Sequence, residues 1–87
     1  GEIWDEEKTI GIAASVVMAL NAARHSLSVQ AKSTNTGIIY IGYDDTVTTT
    51  KWIAELQPGQ SYSTDDWKGT IYAIATVAEQ KLGFGEH

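Results

Sequence analysis

The residues that could carry acid–base or nucleophilic chemistry are few and scattered. His25 is followed by serines at positions 26 and 28 of one predicted strand, and His87 is the last residue. A catalytic histidine must face both a nucleophile and an orienting acid. Residues one and three places away on the same strand point to its opposite face and do not converge on one reaction centre. We therefore predict a surface histidine, no catalytic residues and a protein that is not an enzyme.

Two pairs of adjacent aspartates, Asp44-Asp45 and Asp65-Asp66, are the candidates for a metal site or a glycosidase pair. Calcium loops place their oxygen ligands at a defined spacing, and neither pair lies in such a pattern. Adjacent aspartates are also common turn residues. Gly83-Phe84-Gly85 opens no predicted helix, so it does not indicate a phosphate-binding loop. We expect no metal and no cofactor.

The composition argues against several kinds of partner. The chain has 87 residues, no cysteine, and six basic against eleven acidic residues, a net charge of −5. The basic residues occur singly, whereas nucleic-acid binding needs clustered cations. No apolar run approaches the ~20 residues of a membrane span. Without cysteine there are no disulfides or thiolate nucleophiles, and so small a domain would gain stability from assembly with other subunits.

Aromatic side chains are the remaining candidates for binding. Trp52 and Trp67, with Tyr43 and Tyr62, could form a flat platform that stacks on sugar rings, as in a carbohydrate-binding module. The alternative is that these rings cap a small core or fill an interface, which is common for large aromatic residues. Trp67 lies in an Asp-rich loop, which makes it the first candidate for an exposed contact.

The first part of the chain is predicted to be an extended N-terminal arm, residues 1–12, followed by one domain, residues 13–87. Residues 1–9 show neither strand alternation nor a helical stripe. Ile3, Trp4 and Ile10 would then contact a neighbouring subunit, since tryptophan is enriched where partners meet. A frayed terminus is the other interpretation. The apolar run 10–20 suits a short helix or a buried strand, and we choose a strand because the rest is β.

Alternation and turn residues predict an all-β fold. Residues 26–32 alternate between polar and apolar, and residues 38–41 are β-branched and aromatic, as in a strand covered on both faces. Residues 70–77 form the second strong strand, with alternate residues on opposite faces. We predict a small antiparallel β-sandwich, jelly-roll-like, because turn signals recur about every ten residues. The turns are placed at Asn35 and Gly37, which tolerate positive φ, at Gly42, and at Pro58-Gly59, which suit a type II turn.

Four sequence blocks follow one another in a characteristic order: NAARHSLSVQ at 21–30, GIIYIG at 37–42, LQPGQSY at 56–62, and IYAIA at 71–75 followed by QKL at 80–82. This order resembles a group of small β-rich, capsid-associated structural proteins of tailed bacteriophages, including head decoration (cement) and head-fibre subunits. The resemblance implies a virion structural protein, made in the bacterial host cytoplasm and located on the capsid surface. Its implied partners are the major capsid protein and further copies of itself, as a trimer or as neighbouring decoration subunits. The arm residues Ile3, Trp4 and Ile10 would then form the capsid or subunit interface.

Two hypotheses of function follow. The first is a non-enzymatic decoration or stabilising (cement) protein on the outside of the major capsid shell, with no nucleic-acid or membrane partner. The alternative is a carbohydrate- or receptor-binding β-sandwich module of a phage fibre or appendage, using Trp52 and Trp67. The arm interpretation predicts that deleting residues 1–9 leaves the domain folded but abolishes particle binding, which co-sedimentation with shells would measure.

Overall fold

The computed structural model describes residues 6–87, and this part of the chain forms eight β-strands and no helix. The strands are β1 (Glu6–Ile10), β2 (Ser15–Met18), β3 (Ser26–Ala31), β4 (Ile39–Gly42), β5 (Ala54–Leu56), β6 (Ser61–Asp65), β7 (Ile71–Ala75) and β8 (Gln80–Glu86). The predicted strands on both sides of residue 35 are confirmed as β3 and β4. The apolar run 10–20 does contain a strand, β2.

The strands form two antiparallel sheets of four. Sheet 1 has the order β1-β8-β3-β6, and sheet 2 has the order β2-β7-β4-β5. The first strand therefore pairs with the eighth, the second with the seventh, the third with the sixth and the fourth with the fifth. A long hairpin rolled up on itself gives this nested pairing, which defines a jelly roll. The predicted all-β sandwich is confirmed.

The core lies between the two sheets and is built by strand alternation. In β3 the apolar residues Leu27, Val29 and Ala31 point inward, and the residues between them reach the surface. Ile71 and Ala73 of β7 meet them from sheet 2, again as the alternation of 70–77 predicts. Each inward residue is thus enclosed by the facing sheet, the usual packing of a sandwich.

The predicted arm is wrong for the residues that the structure describes. β1 pairs along its whole length with β8, from Glu6 opposite Phe84 to Ile10 opposite Gln80. Ile10 is fully buried in the core, so it cannot be an interface residue, and the sandwich begins before residue 13. Deleting residues 1–9 would remove most of β1, and intact folding is no longer expected. Ile3 and Trp4 lie outside the described residues.

The turn predictions have mixed outcomes. Pro58-Gly59 forms the predicted turn: Gly59 has a φ of 87°, and the N–H of Gln60 donates to the carbonyl of Gln57 at 2.9 Å. Gly42 is not in a turn but ends β4, where a Cβ would lie 2.6 Å from the Cβ of Val47. Close packing against Val47 therefore requires a glycine at position 42.

Asn35 and Gly37 do lie in the connection between β3 and β4, which crosses from sheet 1 to sheet 2. Neither residue has a positive φ. Instead the Asn35 side chain exchanges two hydrogen bonds of 2.8 Å with the backbone of Lys81. The buried Gln80 accepts the N–H groups of Thr36 and Gly37, both at 2.8 Å. Side-chain hydrogen bonds to β8, and not a left-handed backbone, hold this connection.

A buried arginine closes the opposite end of the sandwich. Arg24 is 1% exposed, and its guanidinium makes five hydrogen bonds. Two go to the Glu86 carboxylate, at 2.8 and 2.6 Å, and three to backbone carbonyls. Those carbonyls belong to Ala19 after β2 and to Trp67 and Gly69 between β6 and β7. Arg24 therefore links three segments and leaves no donor unpaired, as a buried guanidinium requires.

We expect Arg24→Met to lower the free energy of unfolding by about 3 kcal/mol, because three carbonyls and a carboxylate lose their donors. Lys32→Met is the matched control: the Lys32 side chain is 40% exposed and forms one 3.5 Å ion pair with Glu7, so its loss should cost about 0–1 kcal/mol. Urea denaturation followed by circular dichroism measures both. Equal small losses would show that Arg24 does not hold this end.

Candidate functional site

The outer face of sheet 1 is polar, and small residues lie at its centre. Ser28 of β3 lies opposite Ser63 of β6, and their hydroxyls are 3.1 Å apart. On its other side Ser28 lies opposite Gly85 of β8, and Gln30 lies opposite Gly83. Large apolar side chains are absent from these positions, so this face is an ordinary hydrated surface.

The outer face of sheet 2 is apolar. Val16 of β2 lies opposite Tyr72 of β7, and Tyr40 of β4 lies opposite Ile74 of β7. These four residues point away from the core, because their strand neighbours point into it. Trp52, from the connection between β4 and β5, covers Tyr40 with ring centroids 5.5 Å apart. We call these five residues, Val16, Tyr40, Trp52, Tyr72 and Ile74, the aromatic face.

Exposure within the aromatic face is uneven. Trp52 is 44% and Val16 is 39% exposed, whereas Tyr40 beneath the indole is 8% exposed. Glu55 of β5 lies opposite Tyr40 and is a charged residue beside the ring. Burial and the adjacent Glu55 raise the pKa of the Tyr40 phenol, which therefore stays neutral. The aromatic face presents an indole and an aliphatic side chain to solvent over a buried tyrosine.

A small concavity of about 180 Å³ adjoins the aromatic face where the β4–β5 connection leaves the sheet. It is lined by Gly42, Tyr43, Asp44, Val47, Lys51, Trp52 and Ile53. We call it the loop pocket. It combines two aromatic rings with one carboxylate and one ammonium group, and its volume suits a single small ring more than a drug-sized ligand.

Hydrogen bonds fix the charged wall of the loop pocket. The Asp44 carboxylate accepts the backbone N–H of Thr46 at 2.9 Å and also the Thr46 hydroxyl. The Lys51 ammonium donates to the same hydroxyl. The hydrogen bonds from Thr46 and, to a lesser degree, the charge of Lys51 lower the pKa of Asp44. The carboxylate is thus ionised and held in one orientation beside Trp52.

Trp67 does not share an open platform with Trp52. Its ring stacks on Tyr43, with centroids 4.0 Å apart and planes 22° apart, and it packs against the core. Its indole N–H donates to the carbonyl of Thr70 at 3.3 Å, and a Cβ at Gly69 would lie 2.6 Å from the ring. The prediction of Trp67 as an exposed contact is wrong. Trp52 is exposed, as a binding residue must be.

The remaining candidates are not brought together. His25 is exposed, as predicted, near one end of sheet 1. Among residues 6–87, no group of three or more His, Cys, Asp or Glu side chains could hold a metal ion. The sequence reasoning missed the aromatic face, although Tyr72 and Ile74 alternate with the inward residues of β7. The apolar outward residues of β7 were the signal from which the aromatic face could have been predicted.

Comparison with protein-family models, with curated proteins and with solved structures finds no match for this chain. In the described part of the chain, no helix is long and apolar enough to cross a membrane.

We expect Thr46→Val to raise the pKa of Asp44 toward its ordinary value, because the hydroxyl that donates to the carboxylate is lost while the backbone N–H remains. An NMR titration of the Asp44 carboxyl carbon would measure the shift. Thr48→Val is the control, since the Thr48 hydroxyl contacts Thr50 and not Asp44. An unchanged Asp44 titration in Thr46→Val would show that the hydroxyl does not orient the carboxylate.

Proposed function

We propose that this protein is a non-enzymatic structural protein of a bacteriophage virion. In this proposal it decorates and stabilises the outside of the major capsid shell and contacts the major capsid protein through the aromatic face. The observation that carries the proposal is an apolar outer sheet face on an otherwise acidic domain. The resemblance of four sequence blocks to capsid-associated phage proteins supports the choice of partner.

The composition of the aromatic face supports a protein partner. The cores of protein–protein interfaces are enriched in tyrosine and tryptophan and depleted in charged residues. The aromatic face has two tyrosines, one tryptophan and two aliphatic side chains. Charged residues lie only around it: Glu55 beside Tyr40, Lys8 at the Val16 carbonyl, and Asp44 and Lys51 beside Trp52. Trp52, large and 44% exposed over the buried Tyr40, has the properties of an energetic anchor.

The fold is compatible with the proposal. Jelly rolls occur in viral capsid domains and also in lectins, and one fold serves many functions. A decoration protein is present in many copies, so individually weak contacts can hold it on a shell. A domain this small can therefore act through one modest surface such as the aromatic face.

A carbohydrate- or receptor-binding module is the second candidate, and the loop pocket favours it. Trp52 and Tyr43 supply aromatic surfaces, and the oriented Asp44 carboxylate supplies a hydrogen-bond acceptor. An aromatic wall with a few fixed polar groups is the usual composition of a small-ligand site. In this alternative Trp52 contacts the ligand in the loop pocket, and Trp67 only stacks on Tyr43.

We expect Val16→Lys to weaken binding to capsid shells that lack the protein at least about tenfold, because it places a charge within an apolar contact. Ser28→Lys is the matched control, since it places the same side chain on the outer face of sheet 1. Co-sedimentation at increasing protein concentration measures both affinities. Equal affinities for the two variants would remove the aromatic face from the contact, and no binding by the unaltered protein would overturn the proposal.

The alternative is tested on a glycan array with the same preparations. A sugar bound in the loop pocket should be lost in Trp52→Ala and retained in Val16→Lys, because Val16 does not line the pocket. Binding to glycans without binding to shells would favour the second candidate. If the protein binds shells saturably and binds no glycan on the array, Trp52 acts as an anchor of the aromatic face.

A further inference from the structure

The sandwich has four edge strands, β1 and β6 in sheet 1 and β2 and β5 in sheet 2. An edge strand exposes unpaired N–H and C=O groups that can pair with another chain. Monomeric proteins therefore protect their edges with charge, bulges, short strands or covering groups. The four edges of this domain differ in whether they carry such protection.

Three of the edges are protected. β1 has three charged residues among its five, Glu6, Glu7 and Lys8. In β2 the register of the pairing with β7 shifts between Val16 and Met18. The Lys8 ammonium also donates a hydrogen bond to the carbonyl of Val16. β5 is only three residues long. Each device is one that natural sheets use to prevent edge pairing.

β6 lacks this protection. Its sequence SYSTD has no proline, no lysine and one charged residue, and Ser61, Ser63 and Asp65 are exposed. The carbonyl of Gln60 accepts the N–H of Ala31 at 2.9 Å, and the N–H of Asp66 donates to the backbone carbonyl of His25 at 2.8 Å. Even-numbered residues therefore direct their backbone groups toward β3.

The odd-numbered residues of β6 consequently direct theirs toward the open edge. Ser61, Ser63 and Asp65 are these residues, because backbone groups alternate in direction along a strand. In the described part of the chain, one hydrogen bond involves a backbone group on this side: the Thr64 hydroxyl donates to the Asp65 carbonyl at 3.3 Å. The edge offers a ladder of donors and acceptors without a strand to meet them.

We propose that β6 pairs with β6 of a second copy of this chain, antiparallel and centred on Ser63. This register places Ser63 opposite Ser63 and Ser61 opposite Asp65, so that each of three residue pairs can exchange two backbone hydrogen bonds. The Asp65 carboxylate meets a serine hydroxyl and no like charge. On the inner side Tyr62 meets Thr64, an aromatic and β-branched pair that is favourable between strands.

The pairing is a twofold contact and forms a dimer, because one strand paired with itself is an isologous interface. It does not build the trimer expected from the sequence resemblance. Both copies are acidic, with a net charge of −5 each, so added salt should strengthen the dimer by screening their repulsion. The proposal concerns self-association and does not depend on what the aromatic face or the loop pocket binds.

Sedimentation equilibrium of the unaltered chain up to about 1 mM tests the dimer. Ser63→Pro should be monomeric yet folded, since the lost N–H faces the open edge and makes no bond to β3. Ser63→Lys and Ser63→Glu should each be monomeric, because like charges would lie directly opposite in the pair. An equimolar mixture of these two variants should form a heterodimer.

Ser28→Lys is the control and should dimerise as the unaltered chain does, because Ser28 lies on a central strand of the same face. Thermal unfolding by circular dichroism confirms that each variant is folded. A monomeric unaltered chain at all concentrations would overturn the proposal. So would a dimer that survives all three Ser63 substitutions, or a trimer, since either would place the contact elsewhere.

Discussion

The buried guanidinium of Arg24 is the interaction on which one end of this sandwich depends. Segments that are far apart in the sequence, after β2, between β6 and β7, and at the end of β8, accept its five hydrogen bonds. At the other end Gln80 and Asn35 tie the β3–β4 connection to β8. A domain of this size has a thin apolar core. Hydrogen-bonded polar side chains at both ends therefore fix how the two sheets align.

β3 and β7 were predictable from the sequence, because alternate residues of a strand with one buried face point into the core. The turn at Pro58-Gly59 was predictable because its residue types match the required backbone angles. β1 was not predictable from the sequence, because its charged residues protect an edge and conceal the single buried position, Ile10. The role of Arg24 was also hidden, since an isolated basic residue looks the same in the sequence whether it is hydrated or enclosed.

The aromatic face shows a second limit of sequence reasoning. Tyr40 and Tyr72 could be recognised as strand residues, but their common surface depends on β4 lying beside β7, a pairing of distant segments. Trp52 could be recognised as a binding candidate, whereas its separation from Trp67 follows from the stacking of Trp67 on Tyr43. Composition identified the candidate aromatic residues, and topology decided which of them share a surface.

The position of β8 has a consequence for how the protein is made. β8 is the last of the eight strands to be synthesised, yet it lies inside sheet 1, between β1 and β3. Until it leaves the ribosome, β1 has no partner and β3 can pair only with β6. The nascent chain must therefore keep β1 and one edge of β3 unpaired during translation, a period in which exposed edges favour aggregation. Slow translation late in the coding sequence would lengthen that period, and a chaperone that shields the early strands would be most useful then.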